Sequence, residues 1–332
     1  MNNDRMLVIG PSWVGDMVMA QSLFRLLKDR RPDLQIDVIA PTWSLPVLAR
    51  MPQVHNAIAL SVAHGELALR KRRQLGAQLK GSEYSQAIVL PRSLKAALVP
   101  WFAGIPQRTG FRGEMRYGVI NDMRVLDRKV LDQTVKRFVA LGLQKGESLP
   151  AIPEPALEIS PGNRRAVMER LGLEDSRPVI AMMPGAEYGP AKCWPLEYFA
   201  SLARMLEADG CAIWVLGSER DAAAGEQIAA ASAAINLCGK TGIADAIDLL
   251  GFCRQAVSND SGLMHVAAAT GTRVVAIYGS SSPAYTPPLT GKRAIHYLGL
   301  DCSPCFKREC PLGHLRCLRD IHPEQVMRSI TG

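Results

Sequence analysis

Three turns in this 332-residue chain carry residue types that can do chemistry where a strand gives way to a helix. The first, Gly10-Pro11-Ser12-Trp13-Val14-Gly15-Asp16, holds a single carboxylate beside backbone N–H groups. Its spacing lacks both G-x-G-x-x-G and a Gly-Lys-Ser/Thr run, which argues against a dinucleotide or a nucleoside triphosphate in the first half of the chain. Asp16 has two readings: it caps the helix that follows, or it faces a ligand at the carboxyl edge of a sheet and serves as a general base. The second turn, Pro184-Gly185-Ala186-Glu187-Tyr188-Gly189-Pro190-Ala191-Lys192, adds a lysine to a glycine-containing loop. Pro195 just beyond it suits the first turn of a helix. The third, Asn259-Asp260-Ser261-Gly262-Leu263-Met264-His265, opens a helix of small residues. Amides at the Ser261 and Gly262 end of that helix favour an anion. Two anion-ready turns in one half point to a diphosphate, with Lys192 supplying charge that a metal ion supplies elsewhere. His265 reads equally as a ligand contact or a partly buried histidine. Asp221 reads as a ribose contact, with Glu219 as its substitute, or as an ordinary first-turn acid.

The eight cysteines fall into two sets. Cys193, Cys211, Cys238 and Cys253 are scattered through predicted strand and helix positions as small core residues. Cys302, Cys305, Cys310 and Cys317 form C-x2-C-x4-C-x6-C, a spacing open to a structural zinc or to plain reduced thiols, with His314 as an alternative ligand. Four thiolates leave no open position, so no catalytic role attaches to them.

These residues need a scaffold, and the pattern supplies one. Short apolar runs alternate with helix-period segments, as in βα units around parallel sheets. Strands are predicted at residues 6–9, 36–39, 57–60, 87–90 and 108–111, then at 179–183, 212–216, 235–237, 256–258 and 274–278. A Pro-rich stretch over residues 146–162 marks the boundary of two doubly wound α/β domains, 1–155 and 156–320, with a last helix at 321–332. Such domains facing each other would place a ligand at the carboxyl ends of their strands. Hydrophobic residues make up 48% and charged residues 21%, which fits globular domains and excludes disordered or collagen-like chains. The formal charge of +8 favours anionic partners. Aromatics do not interleave with the basic residues, which argues against nucleic acid. No apolar run is long enough to span a bilayer, and the N-terminal run is broken by Pro11 and Asp16, so a cytoplasmic protein with at most peripheral membrane contact is expected.

On four segments the chain resembles the ADP-heptose:lipopolysaccharide heptosyltransferases. They are Pro11 to Met17, Leu98 to Pro106 with Arg108 to Tyr117, Pro184 to Lys192, and Asn259 to Ala269. The first and the Arg108 to Tyr117 stretch are most similar to members that add the second heptose. The resemblance implies a GT-B fold: two Rossmann-like domains across a cleft, the donor in the C-terminal one, and a last helix crossing back to the N-terminal domain. It implies inverting transfer of L-glycero-D-manno-heptose from ADP-heptose to the first heptose of heptosyl-Kdo2-lipid A at the inner face of the membrane, with no cofactor required. Carried over by position, Asp16 is the base. Lys192, Gly185, Asp221, Asp260, Ser261, Gly262 and His265 meet the donor, and Trp13, Arg112 and Arg116 meet the acceptor. Heptosyltransferases that add the first heptose, other double-Rossmann sugar-nucleotide transferases or epimerases, and a nucleotide-binding regulator without turnover are the alternatives.

Overall fold

Strands buried on both faces read as continuous apolar runs, and Met6-Leu7-Val8-Ile9 is such a run, every residue of it buried. The computed structural model describes residues 4–62 and 65–331. The chain divides into two compact units, Met1–Pro155 and Ala156–Gly332. The first alternates β1 (Arg5–Ile9), α1 (Val14–Arg30), β2 (Gln35–Ala40), α2 (Leu45–Leu48), β3 (Val54–Ala59), α3 (Leu69–Leu79), β4 (Gln86–Val89), α4 (Leu94–Phe102), β5 (Gln107–Phe111), β6 (Asp122–Arg124) and α5 (Thr134–Leu141). Its six strands are parallel in the order β3-β2-β1-β4-β5-β6. Leu7, Ile9, Ile39, Val89, Ala97 and Val99 form a core between this sheet and α4.

The second unit runs α6 (Pro161–Leu171), β7 (Val179–Met183), α7 (Leu196–Ala208), β8 (Ala212–Val215), α8 (Ala222–Ala230), β9 (Ile235–Asn236), α9 (Ile243–Leu250), β10 (Gln255–Asn259), α10 (Gly262–Ala269), β11 (Arg273–Ile277), β12 (Arg293–His296), α11 (Arg316–Arg319) and α12 (Pro323–Thr331). Its parallel sheet has the order β12-β11-β10-β7-β8-β9, the same winding as the first. In each unit the chain reverses its direction of travel beside the first strand, between β1 and β4 and again between β7 and β10. Ligands of doubly wound sheets sit at such switch points, beyond the carboxyl ends of the strands.

Two features differ from the sequence reading. The end of the Pro-rich stretch is helical: Ser160 caps α6 by accepting from the Asn163 amide at 3.3 Å, and Pro161 fills the first position. Helix α3 starts at Leu69, after Ala68 in a left-handed conformation. The edge strands β6 and β12 are additional, short and half polar. The last helix, α12, buries Val326 and Ile330 in the second unit's core, where it packs on α7. Among the described residues no helix is long and apolar enough to cross a membrane.

Candidate functional site

In the first unit, Asp16 stands at the start of α1, directly after the carboxyl end of β1 at the switch point. The capping position belongs to Trp13, whose carbonyl accepts from the Met17 amide at 2.9 Å, and Asp16 is the third residue of the helix. Its carboxylate lies half-buried in the helix's first turn, where the helix dipole favours negative charge. Gly10 lies close under its neighbours: a Cβ there would come within 2.6 Å of Met17 Cε and 3.2 Å of the Ile39 carbonyl. Trp43, in the turn after β2, donates its indole N–H to the Ser12 carbonyl at 3.0 Å. Trp13 and Trp43 are each about half exposed at this edge. Sequence reasoning missed Trp43, whose partner lies 31 residues away.

The two arginines expected on the acceptor side part company. Arg112 is exposed at the carboxyl end of β5. Arg116 is fully buried, and its guanidinium donates to the carbonyls of Phe111, Pro91 and Ser93. Burial, reinforced by the nearby Arg92, lowers its pKa to about 10, which leaves it protonated at neutral pH. Arg116 is thus a brace holding together the turns after β4 and β5, and its buried donors are taken by the protein's own carbonyls. The basic run on α3 divides in the same way. Arg72 is buried and donates to the Leu67 carbonyl at 2.7 Å, while Arg70, Lys71 and Arg73 are exposed.

In the second unit, the β7 and β10 turns meet. Lys192 Nζ lies 2.5 Å from Asp260 Oδ2, with side chains 19% and 6% exposed respectively. Asn259 joins the same turns: its side chain accepts from the Trp194 amide at 3.0 Å and donates to the Pro184 carbonyl at 2.6 Å. No local sequence pattern marks it, because its partners are 65 and 75 residues away. Ser261 caps α10, accepting from the Met264 amide at 3.4 Å. That leaves the Gly262 and Leu263 amides in a first turn that no intrahelical carbonyl reaches. His265 is buried, and its Nδ1 has no hydrogen-bond partner among the described residues. Burial lowers its pKa to about 4 against the pull of Asp260, with Lys192 acting in the same direction as burial, so the imidazole is neutral. Two cations approach the Tyr188 ring, with Lys192 Nζ at 5.3 Å and the Arg308 guanidinium at 5.5 Å from its centroid.

Asp221 is the acid of a capping box: the Ser218 amide and hydroxyl both donate to its Oδ2 at 2.8 Å. Its other oxygen lies 2.2 Å from where a Cβ on Gly185 would stand. The first-turn-acid reading therefore accounts for Asp221, and Gly185 is small because that carboxylate abuts it. Glu219 is exposed beside it.

Cys302, Cys305, Cys310 and Cys317 do come together, lining one small cavity with Ala191, Ser280 and His314. Even so, no group of three or more His, Cys, Asp or Glu is placed to hold a metal ion among the described residues. The thiols differ in their surroundings. Backbone amides, led by that of Leu315, converge on Cys310 and hold its thiol below the ordinary range, while burial raises Cys317 to about 11. What the segment does is brace the Lys192 turn. Ala191 N–H donates to the Arg308 carbonyl at 3.0 Å, Tyr188 Oη donates to the Phe306 carbonyl at 2.8 Å, and Phe306 N–H donates to the Ser280 carbonyl at 2.7 Å.

Two doubly wound units of identical winding, with a carboxylate after the first strand of one and a cation-bearing turn after the first strand of the other, define the GT-B class of glycosyltransferase. The chain belongs to glycosyltransferase family 9 (heptosyltransferase), whose model matches residues 72–316. It is 45% identical to lipopolysaccharide heptosyltransferase 2 of Escherichia coli K12 over 99% of this chain and 98% of that protein. It is 41% identical to lipooligosaccharide heptosyltransferase 2 of Haemophilus influenzae, with 98% and 97% covered. Among solved structures, that of E. coli ADP-heptose LPS heptosyltransferase II superposes with a TM-score of 0.89 at 43% identity, covering 98% of this chain and 97% of that one. The chain is therefore a glycosyltransferase, which sets aside a regulator without turnover.

Proposed function

We propose that this chain transfers L-glycero-D-manno-heptose from ADP-heptose to the first heptose of the lipopolysaccharide inner core, with inversion, at the cytoplasmic face of the inner membrane. The observation that carries the reading is the end-to-end match to heptosyltransferase 2 relatives, 45% identical over 99% of the chain, in a protein that keeps a chemically competent turn at both switch points. In this reading Asp16 accepts the proton of the acceptor hydroxyl as that oxygen attacks the anomeric carbon. The bond from that carbon to the diphosphate breaks, and the electron pair leaves on ADP. Lys192 and the Ser261–Gly262 end of α10 stabilise the charge that develops on the leaving group. Asp260 holds Lys192 in place until the diphosphate arrives, and neutral His265 offers its unpartnered nitrogen to the same turn. Trp13 and Arg112 are left for the acceptor. No step is routed through a metal ion, and turnover retained in excess EDTA is the expected result.

The deciding experiment is turnover of purified core acceptors carrying zero or one heptose. Product from the one-heptose acceptor alone supports the reading, and product from the zero-heptose acceptor alone replaces it with addition of the first heptose. Asp16→Ala should lower kcat by about 10²–10⁴-fold with ADP affinity unchanged. Near-normal turnover would remove Asp16 as the base.

A further inference from the structure

Between β5 and β6 the chain makes a projecting turn whose construction the sugar chemistry does not explain. Glu114 and Met115 are consecutive non-glycine residues in the left-handed region, with φ of 37° and 46°. Such backbone costs energy and persists only when its surroundings impose it. Here they do. The Glu114 carboxylate accepts from the Leu94 amide at 2.7 Å, at the start of α4. One residue past the tip, the buried Arg116 guanidinium ties the turn to the carbonyls of Pro91, Ser93 and Phe111. Gly113 lets the turn lie flat on its support, since a Cβ there would meet the Arg92 carbonyl at 2.5 Å.

The outcome of this anchoring is an apolar tip. Met115 is 86% exposed and Tyr117 is 64% exposed. Exposed Arg112 and Arg92 stand at its base, where Arg92 Nη2 donates to the Arg112 carbonyl at 3.3 Å. The tip lies after β5, at the same edge of the parallel sheet as Asp16. Large apolar side chains presented by a strained, doubly anchored turn above two exposed arginines match one chemistry: an anionic headgroup with hydrocarbon beneath it.

We propose that residues 112–117 grip the lipid portion of the acceptor, Met115 and Tyr117 entering the boundary between headgroup and acyl chains while Arg112 and Arg92 meet its phosphates. This deepens the proposed function and rests on it. The test compares one acceptor in two forms, the acylated glycolipid in mixed vesicles and the same glycan after complete deacylation. For Met115→Gln/Tyr117→Ser, the KM for the acylated acceptor should rise about five- to thirty-fold. The KM for the deacylated glycan and for ADP-heptose should stay at wild-type values. Arg112→Gln should raise KM for both acceptor forms, with a loss that shrinks as salt rises. An unchanged KM for the acylated acceptor overturns the proposal, and so does an equal rise on both forms, which would make the tip a sugar contact or a structural element. If the wild-type protein turned over neither form, the proposed function itself would fail, an outcome separate from any difference between variants.

Discussion

His265 is a buried imidazole one turn into α10, and its behaviour follows from where its proton can go. An ordinary histidine titrates near 6.5, whereas burial holds this one at about 4. The unfolded chain therefore binds a proton that the folded chain refuses. The stability is intact above about pH 6.5 and is lost progressively as pH falls toward 4. At pH 5 the loss from this residue is about 2 kcal/mol. His265→Gln should therefore show a smaller drop in urea midpoint between pH 7 and pH 5 than the wild-type protein. Equal drops would mean that the imidazole is protonated in the fold. Arg116 presents the opposite case, a charge kept inside by five donors and three backbone carbonyls. Arg116→Met removes these hydrogen bonds and should cost about 2–4 kcal/mol in denaturant unfolding. Arg116→Lys should recover little, because a point ammonium cannot span the carbonyls that a planar fork reaches.

At the scale of elements, the turn after β7 shows how a reactive group is held by chain far from it in sequence. Gly189 has φ of 149°, and a Cβ there would lie 2.7 Å from the Arg308 carbonyl, the acceptor of the Ala191 amide. Gly189→Ala must push the cysteine-bearing segment off the turn and take Lys192 with it. Weaker ADP binding, by about three- to thirty-fold in calorimetry, is the expected result. Unchanged affinity would show that the segment only shields the turn. The same comparison explains what the sequence made legible. The buried strands and the three chemistry-bearing turns were readable because each is written in contiguous residues: an apolar run, then glycines, then a charge. The edge strand β6 was not, since two of its three residues, Asp122 and Arg124, are charged and it has no apolar run. Nor were the roles of Arg116, Asn259 and Trp43, whose partners are settled only when distant turns meet.

At the scale of the whole molecule, each unit closes its own core. Val326 and Ile330 of the last helix complete the second, and Leu7, Ile9 and Val89 anchor the first. The leaving-group contacts proposed here, Lys192, Ser261 and Gly262, all belong to the second unit, whereas the base Asp16 belongs to the first. A ligand that binds the native state and not the unfolded one stabilises by RT ln(1 + [L]/Kd), about 2.7 kcal/mol at one hundred times Kd. ADP should therefore deliver that gain to the unit that binds it. In the full chain, hydrogen exchange with saturating ADP should slow at residues 184–195 and 259–266 and in the slowest amides of β7, β10 and β11. The slowest amides of β1, β2 and β4 should exchange as they do without ligand. Equal protection of both sets would show that the two units unfold as one cooperative body, and that a division of labour between separately stable units is the wrong description. Protection confined to the first unit would place the nucleotide beside Asp16 and reverse the assignment of donor and acceptor sides.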